Sequence, residues 1–134
     1  MATIADIEGI SPKNATKLRK AGVRTTEGLI RVASTAKDRK ALSAVTGLPA
    51  GQILEWVNRA DLMRVKGIGS EYADLLETAG CDTVKELRRR NAANLTEAMV
   101  AINEAKRLVR RLPTEAMVQA WIDQAKEMEP AVKL

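Results

Sequence analysis

The chain has 134 residues, 46% hydrophobic and 29% charged, and its 22 lysines and arginines against 17 acids leave a net charge of +5. That is the balance of one compact domain with a core, with little room for two independent ones. There is no histidine and a single cysteine, Cys81, which excludes a disulfide, a Cys/His zinc site and any catalyst that relies on histidine.

The opening residues, Met1 to Asp6, carry neither a basic n-region nor an apolar h-region, and no later stretch is long and apolar enough to span a bilayer. A cytoplasmic protein without membrane attachment is expected. Next comes Ile7-Glu8-Gly9-Ile10-Ser11, followed by Ala15, Leu18, Ala21-Gly22, Thr25 and Leu29. The same order returns at an offset of 58 as Val65-Lys66-Gly67-Ile68-Gly69, Ala73, Leu76, Ala79-Gly80, Thr83 and Leu87. Trp56-Val57-Asn58-Arg59-Ala60 then matches Trp121-Ile122-Asp123-Gln124-Ala125 at an offset of 65, so the second copy holds about seven extra residues before its Trp helix. Two copies of one unit, 4–61 and 62–128, fill nearly the whole chain and leave a tail at 129–134.

Apolar residues recur every three to four positions, which predicts helices throughout. In the second copy one stripe is Tyr72, Leu75, Leu76 and Ala79. A second runs from Leu95 through Ala98, Met99, Ile102 and Ala105 to Val109 and Leu112, and a third is Val118, Trp121, Ile122, Ala125 and Met128. Ser11 before Pro12 suits an N-cap, Thr83 with Glu86 and Asn94 with Glu97 have capping-box spacing, and Gly22, Gly47 and Gly80 suit helix C-termini. Nothing alternates as a strand does. The expected fold is all-α, about seven to nine short helices, the two units packed on a shared core as one compact domain.

Within each repeat the glycine turn carries the chemistry. Two glycines around one apolar residue, as in Gly67-Ile68-Gly69, let the backbone turn sharply while Ile68 anchors it. The N–H groups of the turn and of the helix behind it then face outward, an arrangement suited to an anion. The pattern apolar-x-Gly-apolar-Gly-x-x-x-Ala-x-x-Leu resembles the helix-hairpin-helix motif, whose hairpin in many DNA repair and recombination proteins holds a backbone phosphate without reading sequence. Gly9-Ile10-Ser11 resembles it with serine in place of the second glycine. Residues 7–60 are similar to the N-terminal domain of the RecA-like recombinases of archaea and eukaryotes. The tandem arrangement over 4–128 resembles a bacterial family of stand-alone helix-hairpin-helix proteins known as a domain of unknown function. The nucleotide loop of the recombinases is absent, so ATPase activity does not carry over. By the same resemblance a monovalent cation on the carbonyls of Gly67 to Gly69 stays open; the residues themselves call for no cofactor.

Charge separates the copies. Residues 1–61 hold 10 basic and 6 acidic residues, whereas 62–134 hold 12 and 11. Residues 11–24 contain Lys13, Lys17, Arg19, Lys20 and Arg24 and no acid, while 69–82 contain Glu71, Asp74, Glu77 and Asp82 and no base. The copy with the better glycine turn has the poorer electrostatics for a polyanion. The candidate nucleic-acid-binding residues are therefore Gly9, Ile10, Ser11, Lys13, Lys17 and Lys20 of the first hairpin, and Lys66, Gly67, Ile68 and Gly69 of the second, with the first expected to dominate. Lys106, Arg107, Arg110 and Arg111 at helical spacing would extend a basic track.

Trp56 and Trp121 are read as core residues, Cys81 as a small buried hydrophobe in the place of Val23, and Glu71, Asp74 and Glu77 as lacking the second segment a metal site needs. With aromatics at 2%, base stacking is not expected. Two readings remain open. One is a non-enzymatic protein that grips a nucleic-acid backbone through hairpin amides and flanking lysines. The other is a protein-interaction or scaffold module whose hairpins are purely structural.

Overall fold

A computed structural model describes residues 2–134, and those residues are all-helical. A 3-10 turn at Ile4–Asp6 precedes eight helices: α1 (Pro12–Lys20), α2 (Thr26–Ala33), α3 (Ala36–Thr46), α4 (Ala50–Leu62), α5 (Ser70–Thr78), α6 (Val84–Leu87), α7 (Ala92–Lys106) and α8 (Glu115–Lys126). Among the described residues there is no strand, only one isolated antiparallel bridge between Thr3 and Thr25. The chain divides into two compact units. Unit 1 runs to Asp61 and takes in Ala131–Leu134, and unit 2 spans Leu62–Pro130.

The repeat read from the sequence is written into the backbone hydrogen bonds. In unit 1 the amide of Ile7 bonds the Ile4 carbonyl at 3.2 Å and that of Ile10 bonds Ile7 at 3.2 Å; in unit 2 Val65 bonds Leu62 and Ile68 bonds Val65, both at 3.1 Å. Helices α1 and α5 end alike. Gly22 N–H reaches Arg19 and Val23 reaches Leu18, as Gly80 reaches Glu77 and Cys81 reaches Leu76. These paired bonds form a Schellman ending, which demands a left-handed residue, and Gly22 and Gly80 supply it at φ 89° and 92°. The residue after each glycine must pack on the helix's last turn, which is why Val23 and Cys81 are both fully buried. Thr25 and Thr83 then cap α2 and α6, their hydroxyls accepting from Gly28 and Glu86 at 2.9 and 3.2 Å.

The stripes the spacing predicts supply much of each core, but Ala105 and Leu112, at the end of the long second-copy stripe, are exposed. Leu75, Leu76, Val84, Leu87, Leu95, Met99, Val118 and Ile122 close the core of unit 2, with Trp121 only 3% exposed. Unit 1 buries Ile4, Ile7, Leu18, Leu29, Ile53 and Val57, with Trp56 only 2% exposed. Fully burying one such aliphatic side chain contributes about 1.5–3 kcal/mol, so these clusters outweigh any surface ion pair. Unit 1 also buries Arg39, whose guanidinium donates to the carbonyls of Ala33 at 3.1 Å and Lys133 at 2.7 Å. Burial lowers its pKa from the ordinary arginine value, partly opposed by Asp38. Lys133 N–H in turn donates to the Ser34 carbonyl at 2.8 Å, which ties residues 131–134 to unit 1.

Two helix boundaries differ from the spacing. The second-copy stripe extends to Leu112, but α7 stops at Lys106, where Arg107 takes the left-handed conformation at φ 49°. The Asn103 side chain explains the stop: its amide donates to the Val109 carbonyl at 3.2 Å and its oxygen accepts from the Val109 N–H at 3.0 Å. Val109 is buried as expected, but from a loop. The N-cap of α7 is Asn91, accepting from Asn94, so Asn94 with Glu97 is not the capping pair.

Candidate functional site

The two hairpins share one construction. Gly9 and Gly67 occupy the third place of a four-residue turn at φ 95° and 100°, where a side chain would be strained. The second glycine has a different job. Gly69 is extended at φ −95° and ψ −170°, and nothing lies within 4 Å of where its Cβ would sit, so a side chain is admissible there. Ser11 at φ −70° and ψ 161° is that side chain in unit 1. Its replacement of glycine therefore leaves the turn intact and changes only the cap.

Beneath each turn lies an indole. A Cβ at Gly67 would stand 3.0 Å from Trp121 Nε1, and one at Gly9 would stand 3.7 Å from Trp56 Nε1 and 3.5 Å from Arg59 Nη1. The same Trp helices clamp the turn carbonyls. Arg59 Nη1 donates to the Glu8 carbonyl at 2.6 Å, and Gln124 holds Lys66 twice, accepting from its N–H and donating to its carbonyl, each at 3.0 Å. Trp56 and Trp121, at 2% and 3% exposure, are unavailable to stack on a base.

The expectation that the turn amides point outward holds only in part. Ile10 and Ile68 spend theirs inside the turn, and Lys66 spends its own on Gln124. In unit 1 Pro12 has no N–H, and Ser11 Oγ takes that of Asn14 at 3.2 Å. Gly9, Ser11 and Lys13 then keep amides without a partner among the described residues. In unit 2 Gly69 cannot cap, so the amides of Gly67, Gly69, Ser70, Glu71 and Tyr72 all lack a partner among the described residues. Ile10 and Ile68 are buried as anchors.

Each hairpin has cations in its neighbourhood, on α1 in unit 1 and on the α7–α8 connection in unit 2. Lys13 and Lys20 are exposed and Lys17 half-buried on α1, and none meets an acid among the described residues. Around the second hairpin α5 offers acids, but a pocket of about 410 Å³ is lined by Gly67, Gly69, Ser70, Glu71 and Tyr72 together with Arg110 and Arg111. The sequence spacing put those arginines on a helix; they stand instead on the α7–α8 connection, brought to the hairpin by the turn at Arg107. The Tyr72 hydroxyl fixes that connection by donating to the Arg111 carbonyl at 2.9 Å, while its ring packs on Trp121 at 5.3 Å between centroids.

Other candidates settle quickly. Cys81 is fully buried, and burial is the main cause that pushes its thiol up to about 12, so it is no nucleophile at neutral pH. Among the described residues no three His, Cys, Asp or Glu side chains group to hold a metal, and no helix is long and apolar enough to cross a membrane. Arg90 donates to the Gly80 carbonyl at 3.2 Å and meets Glu86 at 3.5 Å, a local brace at the end of α5. The clamp residues Arg59 and Gln124 escaped the sequence reading, although both stand at the same place in the aligned Trp pentads.

No curated protein and no solved structure matches this chain. One family does, over residues 8–128, a span that includes the left-handed glycines of both turns and both Trp helices. The chain belongs to the family described as Domain of unknown function (DUF4332).

Proposed function

We propose that this protein is a non-enzymatic binder of the nucleic-acid backbone that makes no base-specific contacts. The observation that carries the reading is the duplication of one turn with unspent amides, beside cations that have no acidic partner among the described residues. Backbone amides at a turn and helix start favour negative charge, and lysine or arginine nearby adds the long-range attraction a polyanion needs. The resemblance to helix-hairpin-helix proteins and to the N-terminal domain of the RecA-like recombinases supports the same chemistry. Both indoles are buried, so neither offers a ring for a base to stack on. A net charge of +5 limits affinity, and duplex binding near the micromolar range or weaker is expected at physiological salt.

Fluorescence anisotropy of labelled duplex and single strand, titrated at several salt concentrations, tests this. The reading expects similar affinity for unrelated sequences and a linear fall of log K with log salt. Absence of any salt-dependent binding would overturn it.

The reading as a protein-interaction module has its own observation. A groove of about 510 Å³ beside α7 is lined by the apolar Ala93, Val100 and Ala101 together with Thr96 and the acids Glu97, Glu104 and Glu115.

A further inference from the structure

We infer that the pocket between the second hairpin and the α7–α8 connection is a phosphate site, with Arg110 and Arg111 as its contact residues and Tyr72 as the residue that positions them. The inference rests on the proposed backbone-binding function and adds where unit 2 obtains its cations.

The connections leaving α3 and α7 diverge at one point. In unit 1 α3 closes with left-handed Gly47, whose N–H bonds Ser43, and Leu48-Pro49 leads straight into α4. In unit 2 α7 closes with left-handed Arg107, whose N–H bonds Asn103, and the chain then runs through Leu108–Thr114 before α8 begins. Much of the extra length of the second copy lies here. The short connection contains no charge, whereas the long one contributes Arg110 and Arg111 to the wall facing the hairpin.

The long connection is held rather than loose. Val109 is buried and bonded twice to Asn103, Pro113 is buried, and the Arg111 carbonyl accepts from Tyr72. Both arginines are exposed and have no acidic partner among the described residues. A fixed backbone with free guanidinium groups is preorganised for an anion, and the planar guanidinium fork matches two phosphate oxygens. Glu71 is the one acid in the lining, so two cations face one carboxylate. Gly67 and Gly69 also line this pocket, and their amides lack a partner among the described residues.

The test uses the intact chain, labelled duplex and inorganic phosphate. Arg110→Gln with Arg111→Gln should weaken duplex binding about tenfold near 50 mM salt and reduce the slope of log K against log salt by about 1.8, two contacts at about 0.9 each. Changing the same pair to lysine should keep the slope while losing part of the affinity, because charge survives and the bidentate geometry does not. Tyr72→Phe removes one hydrogen bond, so it should weaken duplex binding about threefold through misplaced arginines while lowering the thermal midpoint by only a few degrees. In wild type, inorganic phosphate should shift the Gly67 and Gly69 amide resonances, and in the double Gln variant it should not. If that variant binds duplex as wild type does, while Lys13→Gln with Lys17→Gln weakens binding, this inference is overturned and the proposed function stands. If neither pair matters, both fall together.

Discussion

The hairpins of the two units share backbone hydrogen bonds, a left-handed glycine and a tryptophan floor, yet they solve the capping of the following helix in opposite ways. Unit 1 spends a serine hydroxyl on Asn14 and places proline where an amide would be; unit 2 leaves the start of α5 uncapped. A capped helix start is more stable and less able to receive an anion, because the cap oxygen occupies a donor the ligand would use. The cations follow a similar division. Unit 1 carries them on the helix behind its turn, and unit 2 on a distant connection folded back to its turn. Duplication conserved the scaffold and separated the electrostatics.

The deepest test of the common scaffold is the tryptophan floor. Trp121→Ala and Trp56→Ala should each cost about 3–5 kcal/mol, read from urea midpoints, as expected for large-to-small changes in a core. A cost under 1 kcal/mol at either site would mean that its turn does not depend on the indole.

Glycine substitutions come next and should differ between units. Gly9→Ala and Gly67→Ala both force alanine into a left-handed turn, worth about 1–3 kcal/mol. Gly67→Ala adds the 3.0 Å approach to Trp121, whereas at Gly9 the nearest atom is 3.5 Å away at the end of Arg59. The second unit should therefore lose more, and equal losses would show that Trp121 moves aside freely.

A pH comparison isolates Cys81. Its thiol is raised to about 12 when folded, so the contribution is complete below the ordinary thiol range and is lost as pH climbs from there toward about 12. Unfolding midpoints should fall over that window by up to about 1.4 kcal/mol per pH unit. Cys81→Val, which gives unit 2 the residue at the matching place in unit 1, should remove that dependence relative to wild type and change neutral-pH stability by less than about 1.5 kcal/mol. An unchanged pH profile in the variant would assign the loss to other groups.

The smallest effects exchange the caps. Ser11→Ala should cost about 1 kcal/mol, and Gly69→Ser should stabilise unit 2 by a few tenths. The same Gly69→Ser change should weaken anion binding at the second hairpin, since its hydroxyl would take the Tyr72 amide. Tighter binding in that variant would count against amide recognition.

Much of this was legible beforehand. The offset of 58 located both turns, both Schellman endings and both threonine caps, because those features depend on residues three to five apart. The helical stripes named most of the core for the same reason. The end of α7 was not legible: Val109 and Leu112 continue the apolar period, and only the contact of Asn103 with the Val109 backbone breaks it. Nor was the use of the amides, since Ser11 and Pro12 are helix-start signals in sequence and only the fold shows them removing donors from the turn.

The sequence by itself determined the repeated unit, the glycine that must turn left-handed and the apolar faces to be buried, since each is set by local sterics and periodicity. Tertiary structure alone decided which cations stand beside the second hairpin. Arg110 and Arg111 lie some forty residues beyond Gly69, and charge acts through space, so their place beside the turn followed from where α7 stopped and how the chain folded back.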